Sequence, residues 1–183
     1  HPDNDTYFGI GYAEWIFDET GPKKELLDEI CADKPIMILG SSAHEAWVNT
    51  KTLQLAGITK DTPDPIPGFH YFHRDEEGNP TGHLLEISTQ NMIMERVNFF
   101  DEATIAYILE KASDEYAAMG VTSTCDMGSP EFGLKVYFET VPDMIEKGLY
   151  KQRFDGCGRM VAEKGDVEIV MPRLMEYKEK YDD

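Results

Sequence analysis

The chain has 183 residues, 41% of them apolar, with nine Phe and nine Tyr; this is enough for a packed core and excludes wholesale disorder. Seventeen basic against 35 acidic residues leave a net charge of −18, a surface that repels phosphate backbones and anionic head groups, so nucleic acid and membrane are not expected as partners. Cys31, Cys125 and Cys157 are widely spaced and odd in number, which predicts small buried thiols in a reducing, cytoplasmic compartment and no disulfide framework. No signal peptide is visible and no apolar run approaches the roughly 20 residues of a membrane span. A chain that starts on His1 is expected to be a piece of something longer.

Residues 7–12, aromatic and punctuated by glycine, read either as a strand or as an ordered loop. Gly21-Pro22 launches a helix, with Leu26, Leu27 and Ile30 as its apolar face. Residues 34–39 form an apolar, partly β-branched run that reads as a buried strand. The pattern breaks at Ser41-Ser42, with Ser42 as helix N-cap, and a helix is expected over residues 44–56, stopped by Gly57. Pro63, Pro65 and Pro67 make residues 58–68 an ordered loop. Residues 69–74 and 81–86 then form a hairpin around the turn at residues 75–80.

Residues 101–119 carry the clearest helix, capped by Asp101 and stopped by Gly120, with Ile105, Ile108, Leu109, Ala112, Tyr116 and Met119 in one stripe. A strand over residues 121–128, a helical region over 130–147, a strand over 152–160 and a helix over 166–181 complete the chain. The last helix turns Val170, Leu174 and Tyr177 or Tyr181 inward. Helix, strand, helix, strand, helix from residue 101 onward builds a parallel sheet, open or part of a barrel. The expected division is therefore an α+β region with a hairpin over residues 1–100 and β/α units over residues 101–183.

Chemistry is harder to place. GxSxG, P-loop, GxGxxG and HExxH patterns are all absent. A strand turning into a helix near residue 42 makes His44, Trp47 and Asn49 the first candidates for a ligand site. Glu86 closes the apolar Leu84-Leu85 strand, either as a partly desolvated base or cation ligand or as a plain capping glutamate. Asp126 stands near the end of its strand, as a functional carboxylate or as a cap. His70, His73 and His83 share one hairpin, but strand alternation separates them, and a self-contained metal site with Glu86 is the weakest reading.

These motifs together carry a resemblance. His44-Glu45-Ala46-Trp47-Val48-Asn49-Thr50, Ala56-Gly57-Ile58, Thr62-Pro63-Asp64-Pro65, Gly78-Asn79-Pro80-Thr81-Gly82, Leu85-Glu86 and Gly120-Val121-Thr122-Ser123 with Asp126 resemble, in order and spacing, the pattern of amidohydrolase family 3. Ala43, Thr52 and Pro67 stand where that pattern has Gly, Ala and Gly.

The resemblance implies an α/β fold: partial (β/α)8 TIM-barrel units with an α+β, cap-like insertion. It implies hydrolysis of a small-molecule amide, or a related C–N bond, by water activated on a divalent metal, zinc by expectation. By the same resemblance His44, Trp47 and Asn49 belong to the substrate side, Glu86 lies near the metal centre, and the main metal ligands lie outside this chain. The isolated chain is then expected to be inactive, metal-poor and prone to self-association as a homo-oligomer through uncovered apolar faces. The rival reading is a non-catalytic α/β module that binds a ligand or a partner at the His44 turn and the hairpin.

Overall fold

The computed structural model describes residues 5–129, 136–158 and 166–181. The chain divides into two compact units, His1–Phe99 and Phe100–Asp183. Each contains helices and parallel strand pairing, and the chain belongs to the α/β class.

The first unit is organised by a five-stranded mixed sheet in the order β1-β2-β3-β5-β4. Its strands are β1 (Tyr7–Tyr12), β2 (Ile36–Gly40), β3 (Glu45–Val48), β4 (Tyr71–Arg74) and β5 (Pro80–Leu85). β1 runs parallel to β2, and the other neighbours are antiparallel. The segment between β1 and β2 carries a short 3-10 turn, Glu14–Ile16, and helix α1 (Lys24–Asp28). Pro22 precedes the cap residue Lys23 instead of opening the helix, and only Leu27 of the expected face is buried; Leu26 and Ile30 are exposed. One turn and a half of helix is too short to bury three such positions on one side.

The largest correction concerns residues 44–56. Residues 45–48 are strand, with Ala46 and Val48 buried toward one side and Glu45 and Trp47 half-buried on the other. That is period two, not 3.6. Helix α2 is Thr50–Ala56 and its N-cap is Asn49, not Ser42. The Asn49 side-chain oxygen accepts from Thr52 N at 3.0 Å and from Ile36 N at 3.1 Å. Its amide nitrogen donates to Cys31 O at 3.0 Å and Lys34 O at 2.8 Å. The buried Thr52 hydroxyl sits 2.8 Å from the Asn49 oxygen and 2.9 Å from both Ile36 N and Ile36 O. Gly57 ends the helix in the left-handed conformation, φ 65°. Leu53 and Ala56 face inward and Leu55 is exposed.

The hairpin forms as expected, with Phe72 opposite Leu84 and Tyr71 opposite Leu85. Arg74 fastens the proline-rich loop to it: its guanidinium donates to Asp64 at 2.6 Å and to Thr62 O at 2.7 Å, and Asp64 also accepts from Phe72 N. Helix α3 (Ile87–Met94) follows β5 directly. The core of this unit contains Met37, Ala46, Val48, Phe72 and Leu84 from the sheet, with Leu53, Ala56 and Ile93 from α2 and α3.

In the second unit, α4 (Glu102–Ala118) is capped by Asp101, which accepts from Thr104 N at 2.7 Å. Strand β6 (Ser123–Ser129) pairs in parallel with β7 (Arg153–Gly158), and the connection holds a π-helical turn, Val136–Thr140, running into α5 (Val141–Glu146). Residues 130–135 of the expected helical region, 159–160 of the expected strand and the side chains of Val170 and Tyr181 lie outside the described residues. In α6 (Asp166–Tyr181), Leu174 and Tyr177 are half-buried, and Tyr177 stacks on Phe138 at 4.3 Å. Val141, Met144 and Tyr150 form the core, with Ala106, Leu109 and Phe154 against them.

On α4 only Ser113 is fully buried; Ile105, Leu109 and Ala112 of the expected stripe are half-buried, with Ala106 and Leu109 against the core, whereas Ile108, Tyr116 and Met119 are exposed. Ser113 is inside because its hydroxyl bonds Gln152 at 2.8 Å, while the Gln152 amide donates to Ser113 O and Val121 O. The expectation of buried thiols is also corrected: Cys125 and Cys157 are exposed and Cys31 is half-buried, all unbridged. Thr124 turns to the Tyr150 hydroxyl on the core side, so strand alternation sends Cys125 the other way. Among the described residues no helix is long and apolar enough to cross a membrane.

Replacing Asn49 by Ala removes a cap worth about 1 kcal/mol and takes the amide donor from the partly buried Cys31 and Lys34 carbonyls at about 1–3 kcal/mol before relaxation, while Ile36 N keeps the Thr52 hydroxyl. Asn49→Ala is expected to destabilise the first unit by about 3 kcal/mol, read as a lower urea midpoint at unchanged slope.

Candidate functional site

The ends of β2, β3 and β5 meet at one edge of the sheet of the first unit, and polar side chains collect there. β2 finishes at Gly40, the chain turns through Ser41, Ser42 and Ala43, and β3 departs from Glu45. Glu14, from the 3-10 turn after β1, holds this turn: its carboxylate accepts from the Ser41 hydroxyl at 2.5 Å and from Ser42 N at 2.8 Å. Those bonds, the Ser41 hydroxyl first, pull its carboxyl down to about 2. Buried Gln90 of α3 donates to Ala43 O at 3.0 Å.

His44 and Glu86 are brought together. His44 Nδ1 lies 2.9 Å from Glu86 Oε2, and Glu86 N donates to His44 O at 2.7 Å. The imidazole is 70% exposed and the carboxylate 25%. With the proton on Nδ1, the imidazole leaves Nε2 as an acceptor facing solvent, the arrangement of an oriented general base. Two residues here have backbones that L side chains resist: Ala43 at φ 60° and Glu86 at φ 69°, ψ 162°. The Glu86 conformation belongs to a region that is essentially glycine's own and costs of the order of 1–3 kcal/mol.

Trp47 and Asn49 do not join this pair. Trp47 donates its indole N–H to Lys23 O at 2.9 Å and packs edge-on against Phe17 and Tyr12 at 5.3 and 6.1 Å between ring centres. Asn49 is fully buried, and all its hydrogen bonds go to the chain's own backbone and Thr52. Asp126 lies on β6 of the second unit.

The three hairpin histidines also separate. His70 is buried with Nδ1 2.7 Å from the Ser88 hydroxyl. His83, its side chain 8% exposed, pairs through Nε2 with Glu45 at 2.8 Å and stacks on His73 at 5.8 Å. Glu45 is a residue the sequence reading passed over; reading residues 45–48 as a strand puts Glu45 and Trp47 on the face that meets His83 and Leu85. Tyr12 also belongs here, its phenol pushed above its usual range by burial and then by the Glu45 and Glu14 carboxylates. His83 Nδ1 has no hydrogen-bond partner among the described residues.

Among the described residues no three His, Cys, Asp or Glu side chains converge to hold a metal ion. The self-contained site of His70, His73, His83 and Glu86 does not assemble: His73 and His83 stack on each other, but His70 turns to Ser88 and Glu86 to His44. A depression of about 560 Å³ opens near the start of β5, the opposite end of that strand from Glu86; Lys24, Gln54, Lys60 and Asp75 are among its lining residues.

Comparison with known proteins bears on the fold and the family. The fold is shared with two crystal structures of uncharacterized metal-dependent hydrolases. The Pyrococcus horikoshii protein superimposes with a TM-score of 0.60 at 20% identity, over 97% of this chain and 30% of that one. The Pyrococcus furiosus protein gives 0.56 at 21% identity, over 94% and 30%. A sequence model described as "Amidohydrolase family" matches residues 1–154, and the chain belongs to that family. It is similar to the exoenzymes regulatory protein AepA of Pectobacterium carotovorum, 36% identical over 56% of this chain and 22% of that protein. It is also similar to the N-substituted formamide deformylase of Arthrobacter pascens, 30% identical over 64% of this chain and 22% of that protein. The chain thus spans about a fifth of the length of the curated relatives it matches.

Two measurements follow from this geometry. The His44 contact is exposed and is worth at most about 1 kcal/mol, less than the backbone strain at Glu86. Glu86→Gly is therefore expected to raise stability by about 1 kcal/mol, whereas Glu86→Ala, which keeps the strain, lowers it slightly; paired urea titrations check the sign. The second concerns His73, whose pKa is held below its ordinary value by burial and then by neighbouring His83. The folded state favours the neutral ring, so the unfolded chain binds more protons below about pH 6.5. The stability this position contributes is complete above that pH and falls as the pH drops through the lower folded value. His73→Gln should flatten the acid side of the stability curve in that window.

Proposed function

We propose that this chain is part of a metal-dependent amidohydrolase that cleaves an amide or related C–N bond with metal-activated water. The match of the family over residues 1–154 carries this reading. The name of the Arthrobacter relative, a deformylase of N-substituted formamides, supports a small amide as substrate. In this reading the strands of the second unit are early β/α units of a (β/α)8 barrel and the first unit is a cap-like insertion on the substrate side. The described residues do not fit a complete metal site. The catalytic divalent ion, zinc by the family's implication, would draw its ligands from the whole protein.

Within the chain, the His44–Glu86 pair is the part we assign to chemistry. Strain retained at a carboxylate where glycine would be easier supports a role for that carboxylate. Glu86 orients the His44 imidazole, which reaches the substrate side, Trp47 shapes the wall, and Asn49 acts indirectly by fixing the start of α2. Asp126 is a second candidate carboxylate. Free cysteines support a cytoplasmic setting. Exposed apolar side chains such as Tyr107, Ile108, Met119 and Ile145 support self-association of the isolated chain.

The test uses the protein from its full reading frame, loaded with divalent metal and offered N-substituted formamides. Hydrolysis is expected, with Glu86→Gln lowering kcat by about 100-fold or more. The isolated chain is expected to show no turnover. Binding of the amides without turnover by the metal-loaded full-length protein, at any pH, would favour the binding-module reading instead.

A further inference from the structure

Strands β6 and β7 put three sulfur atoms in one place. Cys125 is in register with Asp155, and Asp126 with Gly156, so Cys157 follows two residues along the neighbouring strand from the partner of Cys125. Cys125 Sγ lies 3.7 Å from Met127 Sδ, and the register sets Cys157 on the neighbouring strand beside the irregularity that holds Met127. Both cysteines are exposed and unbridged, and Met127 is 84% exposed. None of the three belongs to the hydrophobic core of the unit. Packing therefore gives no reason for two thiols and a thioether to converge.

We propose that Cys125, Cys157 and Met127 form a binding site for a soft monovalent metal ion, copper(I), held by two thiolates and one thioether. Soft sulfur donors select copper(I), whereas structural zinc needs four donors. Three sulfurs placed about 2.3 Å from one ion in a plane stand about 4 Å apart, close to the separation already present between Cys125 and Met127. Binding displaces one proton from each thiol, so Cu⁺ and two S–H groups give a bis-thiolate complex of charge −1 and two free protons. Because two protons leave on binding, affinity is expected to rise with pH.

The test is an anaerobic titration of the full chain with copper(I) against a chromophoric copper(I) chelator, read together with the ultraviolet thiolate-to-copper charge-transfer band. One ion per chain is expected. Cys125→Ser or Cys157→Ser should weaken binding by at least about 100-fold, more than the loss of an outer-shell partner costs, and Met127→Leu by about tenfold. Cys31→Ser should change nothing. Unchanged affinity in both of the first two variants, dependence on Cys31, or zinc held as tightly as copper(I) would overturn the site. If the serine variants fail to fold by circular dichroism, X-ray absorption of the copper-loaded unmodified chain decides. Three sulfur neighbours support the proposal, and two sulfurs or a nitrogen/oxygen shell refute it.

Discussion

The first unit depends on one buried side-chain amide. Asn49 joins three backbone segments: the chain after α1 through Cys31 and Lys34, the start of β2 through Ile36, and the first turn of α2 through Thr52. Each bond answers a backbone group, and buried backbone groups are costly to leave open. The amide is suited to this because it offers both an acceptor and two donors; a carboxylate or an aliphatic group offers only part or none. With the network made, β2 is held beside β3, and the outward run of β3 toward His44 is fixed in turn.

From that anchor the polar edge of the sheet follows. The turn between β2 and β3 is held at three points: Glu14 grips Ser41 and Ser42, Gln90 holds Ala43 O, and Glu86 N holds His44 O. Such over-determination is what lets Ala43 and Glu86 keep conformations their side chains disfavour. A rigid frame around an exposed imidazole–carboxylate pair is the physical content of preorganisation. The pair sits at the edge where the strands end.

Much of the fold was legible in the sequence because local signals and tertiary burial agreed. The hairpin, the Asp101 cap and the order of elements after residue 101 are of this kind. Residues 44–56 failed because Trp47, Val48 and Ala56 satisfy a helical spacing by coincidence, and four residues are too few to reveal a strand's alternation. Asn49 stands among the ligand-site candidates in the sequence, yet its role is a helix cap, which only the right starting point of the helix reveals. The stripe of α4 slipped because Ser113, a polar residue, is buried on hydrogen bonds to Gln152, 39 positions away. At the candidate site, Glu86 was visible as a carboxylate closing an apolar strand. Glu14 and Glu45 were not, because their partners come from distant segments and a glutamate in a chain with 35 acidic residues carries no signal by itself.

The burial of His83 reaches further than its own strand. At Gly21, φ 67°, a β-carbon would stand 2.1 Å from His83 Nδ1, so the imidazole occupies the space that any other residue at position 21 would need. The two positions are separated by most of the unit's length in sequence and are yet one volume. A lineage drifting from this sequence can change His83 to something smaller first and only then enlarge residue 21; the reverse order passes through a clash that backbone strain makes worse. Positions 21 and 83 should therefore vary as a pair among related proteins that keep this sheet, with glycine at 21 wherever histidine stands at 83.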